Sequence, residues 1–211
     1  MHSSLESVVP HSLPSVPVTP SPLIPYYPLS SHSSQGKRAG ELGDAGYTPA
    51  QLKGGGYTAK NLKDSGYSAR QIKSGGFSVK QLKMVGFSAG ELKANGCTCT
   101  ELREGTFSAA ELKPLEYSVD TLRVAGFSAK ELKIVGFKLA ELKTGLYSAS
   151  NIKEAGYSCS EMRAAGFTAP EQKSAGASPS EMRIAGYSSV EMRDAGFSAK
   201  KVRGGVLGSN H

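Results

Sequence analysis

The sequence predicts an all-α solenoid of about sixteen short capped helices, one in each ten-residue repeat. The first observation is a ten-residue period that runs from Ala45 to Phe197 without insertion or deletion. The second is that helix start and stop signals recur at fixed positions of the unit, which reads A-G-[FY]-[ST]-A-x-E-L-K-x. A short, strict period is typical of a stacked array in which each unit contacts its neighbours.

The start of each predicted helix is marked by a hydroxyl residue and a carboxylate three residues apart. In one representative unit these are Ser128 and Glu131. The spacing predicts a capping box, in which the serine hydroxyl accepts from an early helical N–H and the carboxylate accepts from the N–H of the cap residue. Phe127 and Leu132 have the spacing of a hydrophobic staple across the same helix start.

The end of each predicted helix is marked by a glycine followed by an aromatic residue. Gly136 fits the left-handed position that ends a helix, where a β-carbon is costly. Phe137 can then fold back on Leu132, a contact that accompanies a Schellman turn. Together the signals predict a helix of about seven residues, Ala129 to Val135.

A β-solenoid of the pentapeptide-repeat type is the alternative fold. Phe127, Leu132 and Phe137 recur every five residues, as inward-facing positions do in such coils. These coils also require a small residue two positions before each large apolar one. Ala125 meets this requirement and Lys130 does not. The pattern therefore favours short helices and leaves the β form as the second interpretation.

Three segments follow from this pattern. Residues 1–36, rich in serine and proline, are expected to be a disordered tail because proline breaks hydrogen-bonded ladders. Residues 37–206 form the decapeptide-repeat solenoid, and residues 207–211 a flexible C-terminal tail. Isolated helices shorter than ~12–15 residues are marginal in water, so the units must be stabilised by stacking and should fold cooperatively.

One repeat position carries most of the positive charge. The chain has 25 basic and 18 acidic residues, and 16 of the bases stand at the third position of the numbering decade. They lie in the last helical turn, where a cation offsets the helix dipole. Stacking would also align them in a stripe, which is the candidate binding site. These residues are Lys53, Lys63, Lys73, Lys83, Lys93, Arg103, Lys113, Arg123, Lys133, Lys143, Lys153, Arg163, Lys173, Arg183, Arg193 and Arg203.

The leading functional hypothesis is a non-catalytic scaffold or spacer that binds another protein, one with an acidic surface, along this basic face. Electrostatic binding of a nucleic acid or another polyanion through the same stripe is the alternative. A nucleic-acid site of that kind would need exposed aromatic rings on which bases can stack. The aromatic column is instead predicted to be core, which disfavours the alternative.

The chain is not expected to be an enzyme, and no cofactor or metal site is predicted. All four histidines, His2, His11, His32 and His211, lie outside the array, so none can activate a serine within it. The three cysteines have no disulfide-framework spacing and are expected to be small core residues, which fits a reducing compartment. The chain lacks an apolar run that could span a membrane. We therefore expect an intracellular, cytoplasmic protein, with organelle or nuclear targeting left open.

The unit resembles a known repeat. Ala125-Gly126-Phe127-Ser128-Ala129-Lys130-Glu131-Leu132-Lys133 looks like the tandem decapeptide arrays of predicted proteins from algae and other protists. The resemblance covers residues 41–203. It implies the repeat architecture and supplies no activity, cofactor or site residue.

Overall fold

The computed structural model describes residues 36–203, and within that range it contains helices and no strand. The all-α prediction is confirmed, and the β-solenoid alternative is wrong for this part of the chain. Seventeen short α-helices follow one another in tandem. They are α1 Ala39–Asp44, α2 Pro49–Gly54, α3 Ala59–Asp64, α4 Ala69–Ser74, α5 Val79–Met84, α6 Ala89–Ala94, α7 Cys99–Glu104, α8 Ala109–Leu112, α9 Val119–Val124, α10 Ala129–Ile134, α11 Leu139–Thr144, α12 Ala149–Glu154, α13 Cys159–Ala164, α14 Ala169–Ser174, α15 Pro179–Ile184, α16 Ser189–Asp194 and α17 Ala199–Arg203. The predictions for the two tails, residues 1–36 and 207–211, fall outside the described residues except at Gly36.

The predicted capping box forms at the start of most of the helices, though not of α1 or α9. In α10 the backbone N–H of Glu131 donates to the Ser128 hydroxyl at 3.2 Å, and the Ser128 N–H donates to the Glu131 carboxylate at 2.8 Å. The helix is one residue shorter than predicted. Val135 is its C-cap, with φ −87° and ψ 7°, because the residue at a helix end is only partly helical.

The glycine-aromatic pair ends most of the helices as a Schellman turn. The N–H of Gly136 donates to the carbonyl of Lys133 at 2.9 Å, and the N–H of Phe137 donates to the carbonyl of Leu132 at 3.0 Å. Gly136 has φ +86°, which L-residues with a side chain rarely adopt. The turn leaves the next cap residue extended, so each helix starts in a new direction.

Three units hold a side chain in this left-handed position. Thr106, Glu116 and Leu146 have φ of 68°, 54° and 62°. Such a conformation costs roughly 1–2 kcal/mol in a residue with a β-carbon. The packing of the surrounding units therefore imposes the turn even where the sequence opposes it.

Leu146→Gly is expected to raise the free energy of unfolding by roughly 1 kcal/mol. The substitution relieves the left-handed strain and removes little packing, since Leu146 is 71% exposed. Urea denaturation followed by circular dichroism measures the change. As a control, Ile184→Gly removes an equally exposed side chain (81%) from a right-handed helical residue and should destabilise the chain instead.

Pro114 divides one unit into two helical pieces. The α-helix α8 stops at Leu112, and Lys113–Leu115 continue as a single 3₁₀ turn. Proline has no N–H to donate, and its ring clashes with the carbonyl four residues before it. The unit keeps its place in the array, so the period survives this local change.

In the middle and later part of the array, helices two units apart make the closest contacts. α10 packs on α12, α12 on α14 and α13 on α15, while α10 touches α11 and α12 touches α13 more lightly. Nearer the N-terminus, α4 packs on α3 and α5 as closely as on α2. The units therefore form two columns, one of odd-numbered and one of even-numbered helices. Helices of one column approach closely at Gly145, which follows α11. A β-carbon added there would lie 2.4 Å from the side chain of Val119 in α9.

The core lies between the two columns. The apolar residue at the second position of each decade is almost completely buried in every described unit, and most aromatic residues lie beside it. Gln172 occupies this position in α14 and is 0% exposed. Its amide nitrogen donates to the carbonyl of Cys159 at 3.1 Å and to the hydroxyl of Tyr187 at 2.8 Å, while its amide oxygen has no partner.

Candidate functional site

The sixteen bases at the third position of each decade from Lys53 to Arg203 form what we call the basic column, and most of them contact the end of another helix. The ammonium group of Lys133, in the last turn of α10, donates to the carbonyls of Gly156 at 2.9 Å and Ala155 at 3.3 Å. These carbonyls follow α12, two units on. Because the last carbonyls of a helix lack intrahelical partners, this contact satisfies an acceptor and places a cation at the negative end of the helix dipole.

Most members of the column repeat this contact. The residues whose side chains donate to a backbone carbonyl of the unit two further on are Lys53, Lys63, Lys83, Lys93, Lys113, Arg123, Lys133, Lys143, Lys153, Arg163, Lys173 and Arg183.

The same cations lie over aromatic rings. The Nζ atom of Lys133 is 3.8 Å from the ring centre of Tyr157, and that of Lys63 is 4.3 Å from the ring centre of Phe87. Ten such pairs occur among the described residues. A cation over a ring contributes roughly 0.5–2 kcal/mol. The basic residues therefore help to hold stacked helices together.

Carboxylates three units on pair with several of these cations. Lys83 lies 2.9 Å from Glu111, and Arg103 lies 2.8 Å from Glu131. The other pairs with this spacing are Lys73–Glu101, Lys153–Glu181 and Arg163–Glu191. The same glutamates close the capping boxes, so one carboxylate serves the start of its own helix and the cation of an earlier unit.

The geometry differs from the single stripe expected from the sequence. Because the twelve cations named above reach the unit two further on, they form two alternating series. The structure describes fifteen of the side chains, from Lys53 to Arg193, while the side chain of Arg203 lies outside its description. Their assignment as binding residues stays a prediction, since their observed contacts are internal.

The excess of positive charge is concentrated near the start of the array, a feature that the average repeat sequence does not reveal. Residues 45–84, which we call the basic segment, contain seven bases and one acid. Residues 85–200 contain fourteen bases and fourteen acids. In the basic segment the capping carboxylate is replaced by an amide, at Gln51, Asn61, Gln71 and Gln81. These amides still close the capping box, so the helices form without the negative charge.

Eight of the capping glutamates have a lowered pKa. The backbone N–H and the hydroxyl of Ser158 donate to Glu161 and lower the pKa of its carboxyl below the ordinary value. The side-chain hydrogen bond from Lys73 and the backbone hydrogen bond from Thr98 lower the pKa of Glu101. The glutamates with lowered pKa are Glu91, Glu101, Glu111, Glu131, Glu161, Glu171, Glu181 and Glu191.

Acid is therefore expected to destabilise the array. A carboxyl whose pKa is lower in the folded state contributes stability above its unfolded pKa of about 4.3 and loses it as the pH falls through the folded value. Thermal unfolding measured from neutral pH to below that range should show a falling midpoint. A variant with Glu91→Gln and Glu161→Gln should lose less stability with acid, since glutamine closes the same box in the basic segment.

The three cysteines lie in the core of the described residues. Cys97, Cys99 and Cys159 are buried free thiols, and burial raises the pKa of each. Their prediction as core residues is confirmed. The described residues include no group of three or more metal-ligating side chains. None of the helices of the described range is long and apolar enough to cross a membrane.

Comparison with known proteins identifies the repeat. The model of a family described as the decapeptide repeat region matches the chain three times, over residues 36–98, 76–149 and 136–206. The resemblance drawn from the sequence is confirmed. The same comparisons match no curated protein and no solved structure.

Proposed function

Because the chain belongs to the decapeptide repeat region family, we propose that it is a non-catalytic scaffold or spacer that binds another protein along its regular surface. The observation that carries the proposal is the uninterrupted tandem of seventeen helices with no inserted loop between residues 39 and 203. Stacked repeats present extended surfaces, whereas active sites are usually built on loops held by a scaffold.

The basic face supports a partner that carries acidic groups. The column cations are occupied by internal contacts, yet they keep part of their surface: the side chain of Lys83 is 29% exposed and that of Arg103 is 34% exposed. An ammonium group has three donors, so a lysine bound to one carbonyl can also bind an external acceptor.

The same geometry favours a protein over a nucleic acid as the partner. Phe77, Phe107 and Phe127 are buried beneath the cations, so their faces are not available to stack on bases. The free buried thiols support an intracellular compartment, where thiols stay reduced.

Affinity capture tests the proposal. The immobilised full-length chain is incubated with extract of the source cells, with and without nuclease, and bound protein and nucleic acid are both measured. We expect saturable enrichment of specific proteins that nuclease does not change and that an unfolded variant abolishes. Capture of nucleic acid alone, or loss of all captured protein after nuclease, would support the polyanion alternative, and no capture would reject both.

A further inference from the structure

We propose that a groove at the basic segment binds an acidic peptide segment that carries an apolar side chain. This inference rests on the proposed function, because it names the partner chemistry and the location for the same surface. The groove has a volume of about 540 Å³ and is lined by Lys53, Lys60, Phe77, Gln81, Met84 and neighbouring backbone.

Lys53 lacks the carboxylate that lies beside five of the other column cations. In those five units a glutamate three units on pairs with the cation, as Glu111 does with Lys83 at 2.9 Å. The corresponding residue for Lys53 is Gln81, a neutral amide. The ammonium group of Lys53 donates to the carbonyl of Gly76 at 2.5 Å and has no carboxylate partner among the described residues. A carboxylate from another molecule would give Lys53 the ion pair that these five cations have.

A matching groove lies elsewhere in the chain. Each residue that lines the first groove has an equivalent seventy positions later, including Arg123, Lys130, Asn151 and Glu154. There the charges are balanced within the chain: Arg123 lies 2.6 Å from Asp120, and Glu154 stands at the position of Met84. None of the residues that line the first groove is acidic, and Met84 gives it an exposed apolar side chain where the second groove has Glu154.

Exposed groups line the rim of the groove. Met84 is 78% exposed and can contact an apolar side chain of a bound peptide. Lys60 forms an exposed ion pair with Asp64 at 2.7 Å, and a pair of this kind is worth only about 0–1 kcal/mol. An external carboxylate can therefore compete for Lys60. A flexible thioether beside two cations fits an acidic segment with a leucine or a similar residue.

Charge at longer range supports the same occupant. The basic segment holds the charge excess of the array, since residues 85–200 have equal numbers of bases and acids. Lys80 and Arg70 are exposed bases of this segment. Complementary charge steers association and suppresses wrong partners, so an acidic segment would be drawn to this end of the solenoid.

Fluorescence anisotropy with the full-length chain tests the groove. The probe is a labelled peptide in which glutamates surround one leucine. Gln81→Glu places a carboxylate beside Lys53 while keeping the capping box, so we expect it to weaken binding by about five- to tenfold. Asn151→Glu makes the same change in the second groove and should leave binding unchanged.

A second variant tests the apolar contact. Met84→Ser should weaken binding of the leucine peptide by about threefold or more and have little effect on a peptide with serine in place of the leucine. The exposed position of Met84 means that the fold should tolerate the change.

Three outcomes would overturn the inference: no binding of the peptide, equal weakening by Gln81→Glu and Asn151→Glu, or tighter binding of single-stranded DNA that is also sensitive to Gln81→Glu. The first two would leave the scaffold proposal standing, because the capture experiment tests it without reference to this groove. The third would assign the groove to nucleic acid and favour the polyanion alternative.

Discussion

Leu132→Ala is expected to lower the free energy of unfolding by about 2–5 kcal/mol, the range for truncating a fully buried leucine. Leu132 is 0% exposed and lies in the shared core between the two columns of helices. Its α10 helix packs closely on α12 and also touches α11, so the cavity weakens several units at once. Because a single short helix has no independent stability, the whole neighbourhood should unfold together.

Urea denaturation followed by far-ultraviolet circular dichroism measures this loss. Ile134→Ala is the matched control, since Ile134 lies in the same helix and is 75% exposed. Its effect should stay within about 0.5 kcal/mol, as is usual for surface substitutions. Similar losses from both variants would contradict the buried column described for the second position of each decade.

Gly145→Ala is expected to lower the free energy of unfolding by about 1–3 kcal/mol through overpacking. The new β-carbon would lie 2.4 Å and 2.8 Å from side-chain carbons of Val119 and 3.1 Å from its backbone carbonyl carbon. Backbone atoms cannot move aside without separating helices of the same column. The glycine is therefore required by close approach rather than by its dihedral angle, which is φ −76°.

Gly54→Ala provides the opposite case. Gly54 ends helix α2, and nothing lies within 4 Å of the β-carbon that alanine would add. Alanine favours the helix over glycine by up to about 1 kcal/mol, so this variant should be as stable as the parent chain or more stable. Thermal unfolding of the two variants compares them directly. Equal destabilisation would mean that the contact between Gly145 and Val119 is absent.

Local structure could be predicted from the sequence because its signals lie within one unit. Ser128, Glu131 and Gly136 define the two ends of a helix through hydrogen bonds that span only a few residues. The prediction was off by one residue at Val135, where capping geometry and helix overlap. The burial of Leu132 and Phe127 also followed from their spacing around the cap.

The packing of the units could not be predicted, because every unit has nearly the same sequence and the sequence therefore does not show which unit packs on which. A cation can meet an equivalent ring in the next unit or in the unit two further on, and the sequence reads the same in both cases. The structure places Lys133 over Tyr157, and this choice divides the column of bases into two series. The internal contacts of these bases follow from that register. The sequence does not reveal the register, so from the sequence alone the bases were expected to form one continuous external stripe.

The excess of bases in the basic segment can be counted in the sequence, but it disappears when the composition is averaged over all repeats. Gln51 and Gln71 stand where later units have glutamate, and the two residue types cap a helix equally well. The structure shows why the difference matters. Five of the glutamates also pair with cations three units earlier, whereas the residue three units before Gln71 is Gly43, which has no charge to pair with.

Disulfide cross-linking tests most directly the claim that the helices pack on the second unit along. The β-carbon that a side chain at Gly40 would carry lies 3.5 Å from the β-carbon of Ser65, within the range for a disulfide. In a chain whose native cysteines are replaced by alanine, the pair Gly40→Cys and Ser65→Cys should form an intramolecular disulfide under mild oxidation, whereas Gly40→Cys and Gly55→Cys should not. Efficient cross-linking of the second pair without the first would contradict the two-column solenoid.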